Sequence, residues 1–131
     1  MRTGYKDLNI KIGIDDTTFL VLNIVFERFL RSMPRHSHGN NSYEIHYIPY
    51  GHGKVNIDDQ IYNITPNTLY MTGPHVEHEQ IPLKNDPMAE YCIYFKLQKI
   101  ILTSSLRWIR WLISSRKLIS GSDRILRSCI R

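Results

Sequence analysis

The chain has 131 residues, a length that suits one domain and leaves no room for two of ordinary size. With 42% hydrophobic and 22% charged residues, it has the composition of a folded globular domain and not of a disordered chain. Its two cysteines, Cys92 and Cys129, are too few for a disulfide framework and too far apart for a zinc motif, so we expect a cytoplasmic protein. No apolar run approaches the ~20 residues that a membrane helix needs, so no membrane association is expected.

The net charge of +5 is unevenly distributed along the chain. Residues 99–131 contain eight basic residues and one acid, a net charge of +7, so the other 98 residues carry −2. A mildly acidic segment lacks the positive surface with which proteins bind phosphate backbones. We therefore divide the chain into a domain at residues 1–98 and a basic tail at residues 99–131, and we expect no direct DNA binding from this chain alone.

The domain shows short apolar segments with β-branched and aromatic residues, separated by turn signals. Gly, Pro, Asn and Asp mark turns near residues 51–53, 58–59, 66–67 and 73–74. Many short strands at this spacing are typical of a sandwich or a barrel, so the predicted fold class is all-β. The predicted strands are residues 18–26, 43–50, 54–57, 60–65, 69–71 and 88–97.

All six histidines lie between residues 36 and 78. His36 and His38 are two apart, so on a strand both side chains point to the same face. A bend at residues 39–42 would bring Glu44 alongside them on the next strand, and His78 comes from a later segment. Imidazoles and a carboxylate that converge in this way suit a divalent ion such as zinc, iron or manganese.

The spacing of these residues resembles the first motif of the cupin family, the small double-sheet jelly-roll barrels. That motif runs from His36 and His38 through Glu44 to Gly51, although five residues separate His38 from Glu44 where three or four are usual. The second motif runs from Pro66 to His78, and its turn lacks the usual glycine.

Residues 34–97 resemble more specifically the sensor domain of AraC-type transcription regulators. The matching segments are residues 34–38, 43–45, 51–53, 62–66, 69–70, 73–78 and 91–97. The resemblance implies a cupin barrel that binds a small-molecule effector, often a sugar, and that forms a homodimer. It also implies a non-enzymatic protein without a cofactor, because most members are not thought to need a metal.

Tyrosine and histidine suit an effector pocket because each combines an apolar ring with a hydrogen-bonding tip. Two alternatives stay open: ordinary polar residues at the barrel mouth, and a small cupin metalloenzyme of the dioxygenase or isomerase type. In that enzyme His36, His38, Glu44 and His78 would hold a divalent metal. The candidate effector-binding residues are His36, His38, Glu44, His46, Tyr50, Tyr70, His78 and Tyr94.

The basic tail is too short for the two helix-turn-helix units with which AraC-type regulators read DNA. Leu102, Leu106, Ile109 and Ile113 follow a 4-3-4 spacing, which predicts an amphipathic helix. The resemblance makes this a dimerisation helix of a truncated regulator. A basic helix that binds a membrane surface, nucleic acid or an acidic partner is one alternative. The other is a frameshift near residues 99–104, because the composition changes abruptly to Ser, Arg and Trp.

Overall fold

The computed structural model describes residues 2–14 and 17–100, and these form antiparallel strands in two sheets. The strands are β1 (Arg2–Tyr5), β2 (Ile10–Ile14), β3 (Thr17–Arg28), β4 (Met33–His36), β5 (Ser42–Tyr50), β6 (Gly53–Ile57), β7 (Gln60–Ile64), β8 (Thr68–Thr72), β9 (His78–Pro82) and β10 (Ala89–Ile100). The larger sheet has the order β1-β3-β10-β5-β8, with β2 also paired to β3, and the smaller has the order β4-β9-β6-β7. The predicted all-β class is confirmed.

The turns lie where the sequence predicts them. Gly51 has a φ of 83°, and a Cβ atom there would come within 2.4 Å of the Pro87 carbonyl oxygen, so both conformation and space require glycine. Asp58 and Asp59, which connect β6 to β7, have φ values of 47° and 66°, as in a tight hairpin turn. Asn67 also has a positive φ, of 66°, directly after Pro66.

The sequence misses four strands, β1, β2, β4 and β9. All residues of β1 and β2 are exposed; β1 is short and has no apolar alternation, whereas the alternation of Ile10, Ile12 and Ile14 on β2 was overlooked. Strands β4 and β9 each contain a proline, Pro34 and Pro82, which weakens the strand pattern. The strand β10 extends to Ile100, beyond the domain boundary expected at residue 98, because its last residues pair with Thr17 and Thr18. The rest of the predicted helical tail lies outside the described residues.

Among the described residues, no helix is long and apolar enough to span a membrane. The strands bury two apolar clusters on opposite faces of the larger sheet. Tyr43 and Phe95 are paired across β5 and β10, and they pack with Phe19 and Val21 on one face. The other face meets the smaller sheet and forms the interior core of the barrel. This core contains Phe29, Ile48, Val55, Ile57, Ile64, Tyr70, Val76 and Met88.

Candidate ligand and metal site inside the barrel

A cavity of about 240 Å³ lies between the two sheets. Because side chains alternate across a strand, the inward residues of β5 in this region are Glu44 and His46. Their partners on β10 are Tyr94 and Cys92, which therefore face the same cavity. The complete lining comprises Arg2, Asn23, Val25, Glu27, Met33, His36, His38, Glu44, His46, Gln80, Glu90, Cys92 and Tyr94.

Glu44 is the centre of the polar lining, and its side chain is 12% exposed. Its Oε2 atom lies 2.9 Å from His38 Nε2, 3.2 Å from His78 Nε2 and 3.4 Å from His46 Nε2. Burial alone would raise the pKa of Glu44, but the contacts with His38, His46 and His78 outweigh it and hold the pKa well below its ordinary value. Glu44 is therefore an ionised carboxylate surrounded by imidazoles.

Backbone carbonyls orient two imidazoles of the site, those of His36 and His78. His36 Nδ1 lies 2.8 Å from the Pro34 carbonyl oxygen, and His78 Nδ1 lies 3.1 Å from that of Val76. A carbonyl only accepts, so Nδ1 must carry the proton, and in the neutral ring of His36 Nε2 is left with a free lone pair. Burial also lowers the pKa of His36, which favours this neutral form. Such second contacts are typical of metal-ligating histidines.

The structure brings together the four residues that the sequence predicts as metal ligands, His36, His38, Glu44 and His78. Their ligand atoms lie within 4.8 Å of one another. His38 Nε2 is buried and points into the cluster, close to Glu44 Oε2. The contact lacks the geometry of a hydrogen bond, so this nitrogen has no hydrogen-bond partner among the described residues. Three imidazole nitrogens and one carboxylate oxygen fit a divalent ion such as zinc, iron or manganese.

His46 connects this cluster to a second group of buried polar residues. Its Nδ1 lies 3.0 Å from Glu90 Oε2, and its ring stacks on Tyr70 at a centroid distance of 4.3 Å. Gln80 Nε2 donates to the Tyr70 hydroxyl at 2.5 Å and also to Glu90 Oε2. Burial alone would lower the pKa of His46, but its contacts with Tyr70, Glu90 and Glu44 outweigh burial and raise it well above the ordinary value. His46 therefore lies between two carboxylates, those of Glu44 and Glu90.

The remaining candidate residues differ in position. Tyr94 lines the cavity, with its hydroxyl 3.0 Å from Ser42 Oγ and its ring 5.1 Å from that of His38. Tyr70 is buried behind His46 and supports it without lining the cavity. Tyr50 does not belong to the cluster, since it is 48% exposed at the end of β5. The reason is distance along the strand, because Ile48, the inward residue between His46 and Tyr50, already belongs to the apolar core.

Several residues of the site were missed at the sequence level. Glu90 and Cys92 face the same way on β10 as Tyr94, so alternation along that strand could have found them. Gln80 comes two residues after His78 and so faces the same way on β9, but that strand was not predicted. Arg2 and Glu27 form a salt bridge of 3.4 Å at the edge of the cavity, and nothing in the sequence pointed to them.

A wider surface depression of about 510 Å³ lies over strands β6, β7 and β9. Its only histidine, His52, is engaged with Asp86, with Nδ1 and Oδ2 at 2.5 Å. Both groups of converging metal-ligand atoms among the described residues lie in the interior cavity instead. We therefore place the candidate site in the smaller cavity, where charged and hydrogen-bonding groups converge.

Comparisons with known proteins agree with this architecture. Residues 28–116 match the family model of the AraC-like ligand binding domain. The fold is similar to a predicted oxalate decarboxylase from Thermotoga maritima, with a TM-score of 0.53 and 14% identity over 74% of this chain and 92% of that one. It is also similar to a cupin protein from Bacteroides fragilis, with a TM-score of 0.50 and 15% identity over 74% of this chain and 85% of that one. No curated protein matches the sequence significantly.

Proposed function

This chain belongs to the family of AraC-like ligand-binding domains, and we propose that it binds a small polar effector inside the barrel as the sensor of a transcription regulator. The observation that carries the proposal is the interior cavity with its converging polar side chains. Its volume of about 240 Å³ is below the ~300–1,000 Å³ of pockets for larger ligands, which favours an effector of the size of a monosaccharide.

The chemistry of the lining supports an effector with several hydroxyl groups. Glu27, Glu44 and Glu90 offer carboxylate oxygens as acceptors, whereas Arg2 and the imidazoles offer donors. A hydroxyl group both donates and accepts, so a polyhydroxylated molecule such as a sugar can satisfy donors and acceptors at the same time. Tyr94 adds an aromatic ring against which the apolar face of such a molecule can pack.

A thermal-shift screen of the purified chain against sugars and small metabolites tests this proposal. A ligand that binds only the folded state raises the melting temperature by an amount that grows with the logarithm of its concentration above the Kd. We expect His36→Ala to lower the affinity for such a ligand about tenfold, which corresponds to ~1.4 kcal/mol of binding free energy. His52→Ala is the matched control, because His52 lies outside the cavity and should leave the affinity unchanged. A screen without a stabilising ligand, or equal losses in both variants, would refute the proposal.

We extend the proposal to a homodimer that binds no DNA through residues 1–98. Strand β2 presents Ile10, Ile12 and Ile14 at exposures of 46%, 43% and 48%, an apolar row at the edge of the larger sheet. Light scattering should give twice the chain mass for the wild type and the mass of one chain for Ile12→Glu. The control is Ile61→Glu, at a more exposed isoleucine on the smaller sheet, which should stay dimeric.

A second candidate function is a cupin metalloenzyme, favoured by the ligand atoms of His36, His38, Glu44 and His78 within 4.8 Å of one another. A divalent metal there would supply Lewis-acid chemistry. Metal analysis of the purified chain separates the two candidates. Stoichiometric iron, zinc or manganese that is lost in a His36→Ala/His38→Ala variant would favour the enzyme, and effector binding by metal-free protein would favour the sensor.

A further inference from the structure

We infer that the barrel contains a second metal-ligand set, formed by Glu44, His46 and Cys92, which binds a thiophilic divalent ion such as zinc. The three side chains offer a carboxylate oxygen, an imidazole nitrogen and a sulfur within 4.8 Å of one another. The inference is independent of the proposed effector. It shares Glu44 with the set formed by His36, His38, Glu44 and His78, and it differs from that set in its other ligands and in its preferred ion.

Two neighbouring strands build this set directly. His46 and Cys92 are cross-strand partners on β5 and β10, and Glu44 lies two residues before His46 on the same face. The Sγ atom of Cys92 lies 3.6 Å from Glu44 Oε1, and His46 Nε2 lies 3.4 Å from Glu44 Oε2. Both strands lie inside the larger sheet, with a neighbour on each side, so the backbone holds the ligands at fixed separation.

His46 is oriented as a metal ligand. Its Nδ1 faces Glu90 at 3.0 Å and its ring is stacked on Tyr70, so neither the ring plane nor the direction of Nε2 is free to vary. His46 is 2% exposed, and its Nε2 atom has no hydrogen-bond partner among the described residues. Histidines that ligate zinc through one ring nitrogen usually contact a carboxylate through the other, as His46 contacts Glu90.

The sulfur sets the choice of ion. The two oxygens of Glu44 face different neighbours, Oε2 towards the imidazoles and Oε1 towards Cys92. A set of imidazoles and one carboxylate accepts manganese or iron, whereas a thiolate selects zinc and related soft ions. Three protein ligands leave a fourth position open to the cavity, as in exchangeable zinc sites. On binding, the thiol of Cys92 and the protonated form of His46 each lose a proton to solvent, and the sulfur and His46 Nε2 form the bonds to the metal.

Cobalt(II), a spectroscopic substitute for zinc, tests this set in the full-length chain. A bond between cobalt and a thiolate gives an intense charge-transfer band in the near ultraviolet, which imidazole and carboxylate ligands do not give. We expect the wild type to show the band on titration with cobalt(II), Cys92→Ser to lose it, and the matched control Cys129→Ser to keep it. His36→Ala, which removes a ligand of the other set only, should also keep the band.

The inference is overturned if the wild type shows no band, if the band survives in Cys92→Ser, or if it is lost in Cys129→Ser or His36→Ala. A second measurement avoids any change to the site and covers a Cys92→Ser variant that fails to fold. In the Cys129→Ser protein, stoichiometric zinc should slow alkylation of Cys92 at least tenfold, whereas calcium, which prefers oxygen ligands, should not. An unchanged rate with zinc would also overturn the inference.

Discussion

The two ends of the barrel interior differ in chemistry although the same strands build them. On β5 the inward residues run from Glu44 and His46 to Ile48, so the interior changes from a carboxylate cluster to a fully buried aliphatic core within four residues. The apolar end, around Ile48 and Met88, is assembled from side chains whose one buried polar group, the Tyr70 hydroxyl, accepts from Gln80. The polar end buries carboxylates and imidazoles, which costs free energy unless each group is paired.

This difference teaches how the domain divides its tasks. Apolar burial at one end contributes folding free energy in proportion to area, at about 25 cal/mol per Å². The polar end instead leaves two buried nitrogens, His38 Nε2 and His46 Nε2, without hydrogen-bond partners among the described residues. Sites of this kind are commonly stabilised by the surrounding scaffold and are completed by a ligand. Variants at the two ends should therefore separate stability from binding.

The largest effect is expected for Ile48→Ala at the apolar end. Ile48 is 0% exposed, and removal of its buried methyl and methylene groups leaves a cavity, which typically costs ~2–5 kcal/mol. Urea unfolding measures the change in the free energy of unfolding. Ile61→Ala is the control, because Ile61 is 62% exposed and should change this free energy by less than ~0.5 kcal/mol. Equal effects at the two positions would mean that the apolar end does not dominate stability.

A smaller effect that depends on pH is expected for Glu44→Gln at the polar end. The depressed pKa of Glu44 stabilises the fold above the ordinary value of 4.5 and loses this contribution as pH falls below it. The raised pKa of His46 stabilises the fold below its ordinary value of 6.5 and loses this contribution as pH rises through the folded-state pKa. The free energy of unfolding of the wild type should therefore exceed that of Glu44→Gln most between pH 4.5 and 6.5, by about 1–3 kcal/mol.

Urea unfolding at a series of pH values measures that difference. The series runs from about pH 3 to about pH 9 and so extends beyond this window on both sides. The groups that face Glu44 are His38, His46, His78 and Cys92, and the variant removes the negative charge that all of them share. Glu77→Gln is the control, since Glu77 is an exposed partner of Arg35 on the surface. A wild-type advantage that is flat with pH would show that packing, and not charge, accounts for the role of Glu44.

The sequence predicted much of this contrast, and its failures have physical causes. Glu44, His46 and Tyr94, chosen by residue type and by the resemblance, all line the cavity. Residue type does not tell how far along the barrel a residue lies, and Tyr50, chosen on the same grounds, lies outside the cavity lining. The tight turns were predictable because Gly51 and Asn67 adopt conformations that few other residues tolerate.

Long-range pairing accounts for the rest of what the sequence did not predict. His36 and His78 meet because β4 pairs with β9, and the contact joins residues 42 positions apart. Their convergence was predicted only through the resemblance to cupins, since local patterns carry no information on which strands pair. The contact of Glu90 with His46 across the sheet likewise joins residues 44 positions apart. Strand β1 lacks an apolar pattern, whereas the alternation of isoleucines on β2 was detectable.

The smallest effect is expected for Tyr94→Phe, which changes one atom at the rim of the polar end. The variant loses the hydrogen bond between the Tyr94 hydroxyl and Ser42 Oγ and keeps the ring next to His38. A single neutral hydrogen bond contributes about 0.5–1.5 kcal/mol, so the melting temperature should fall by only a few degrees. If the hydroxyl also contacts the effector, the affinity measured by calorimetry should fall by about three- to tenfold.

Tyr47→Phe is the matched control for this last change. Its hydroxyl donates to Asn67 Oδ1 at 2.9 Å, so the variant loses a comparable hydrogen bond on the outside of the same sheet. Both variants should therefore lose similar stability, because each removes one partly solvated contact of one phenol. Only Tyr94→Phe should lower the affinity for the effector, since Tyr94 lines the cavity and Tyr47 does not. Equal affinities in the two variants would place the effector away from Tyr94 and closer to Glu44 and the imidazoles.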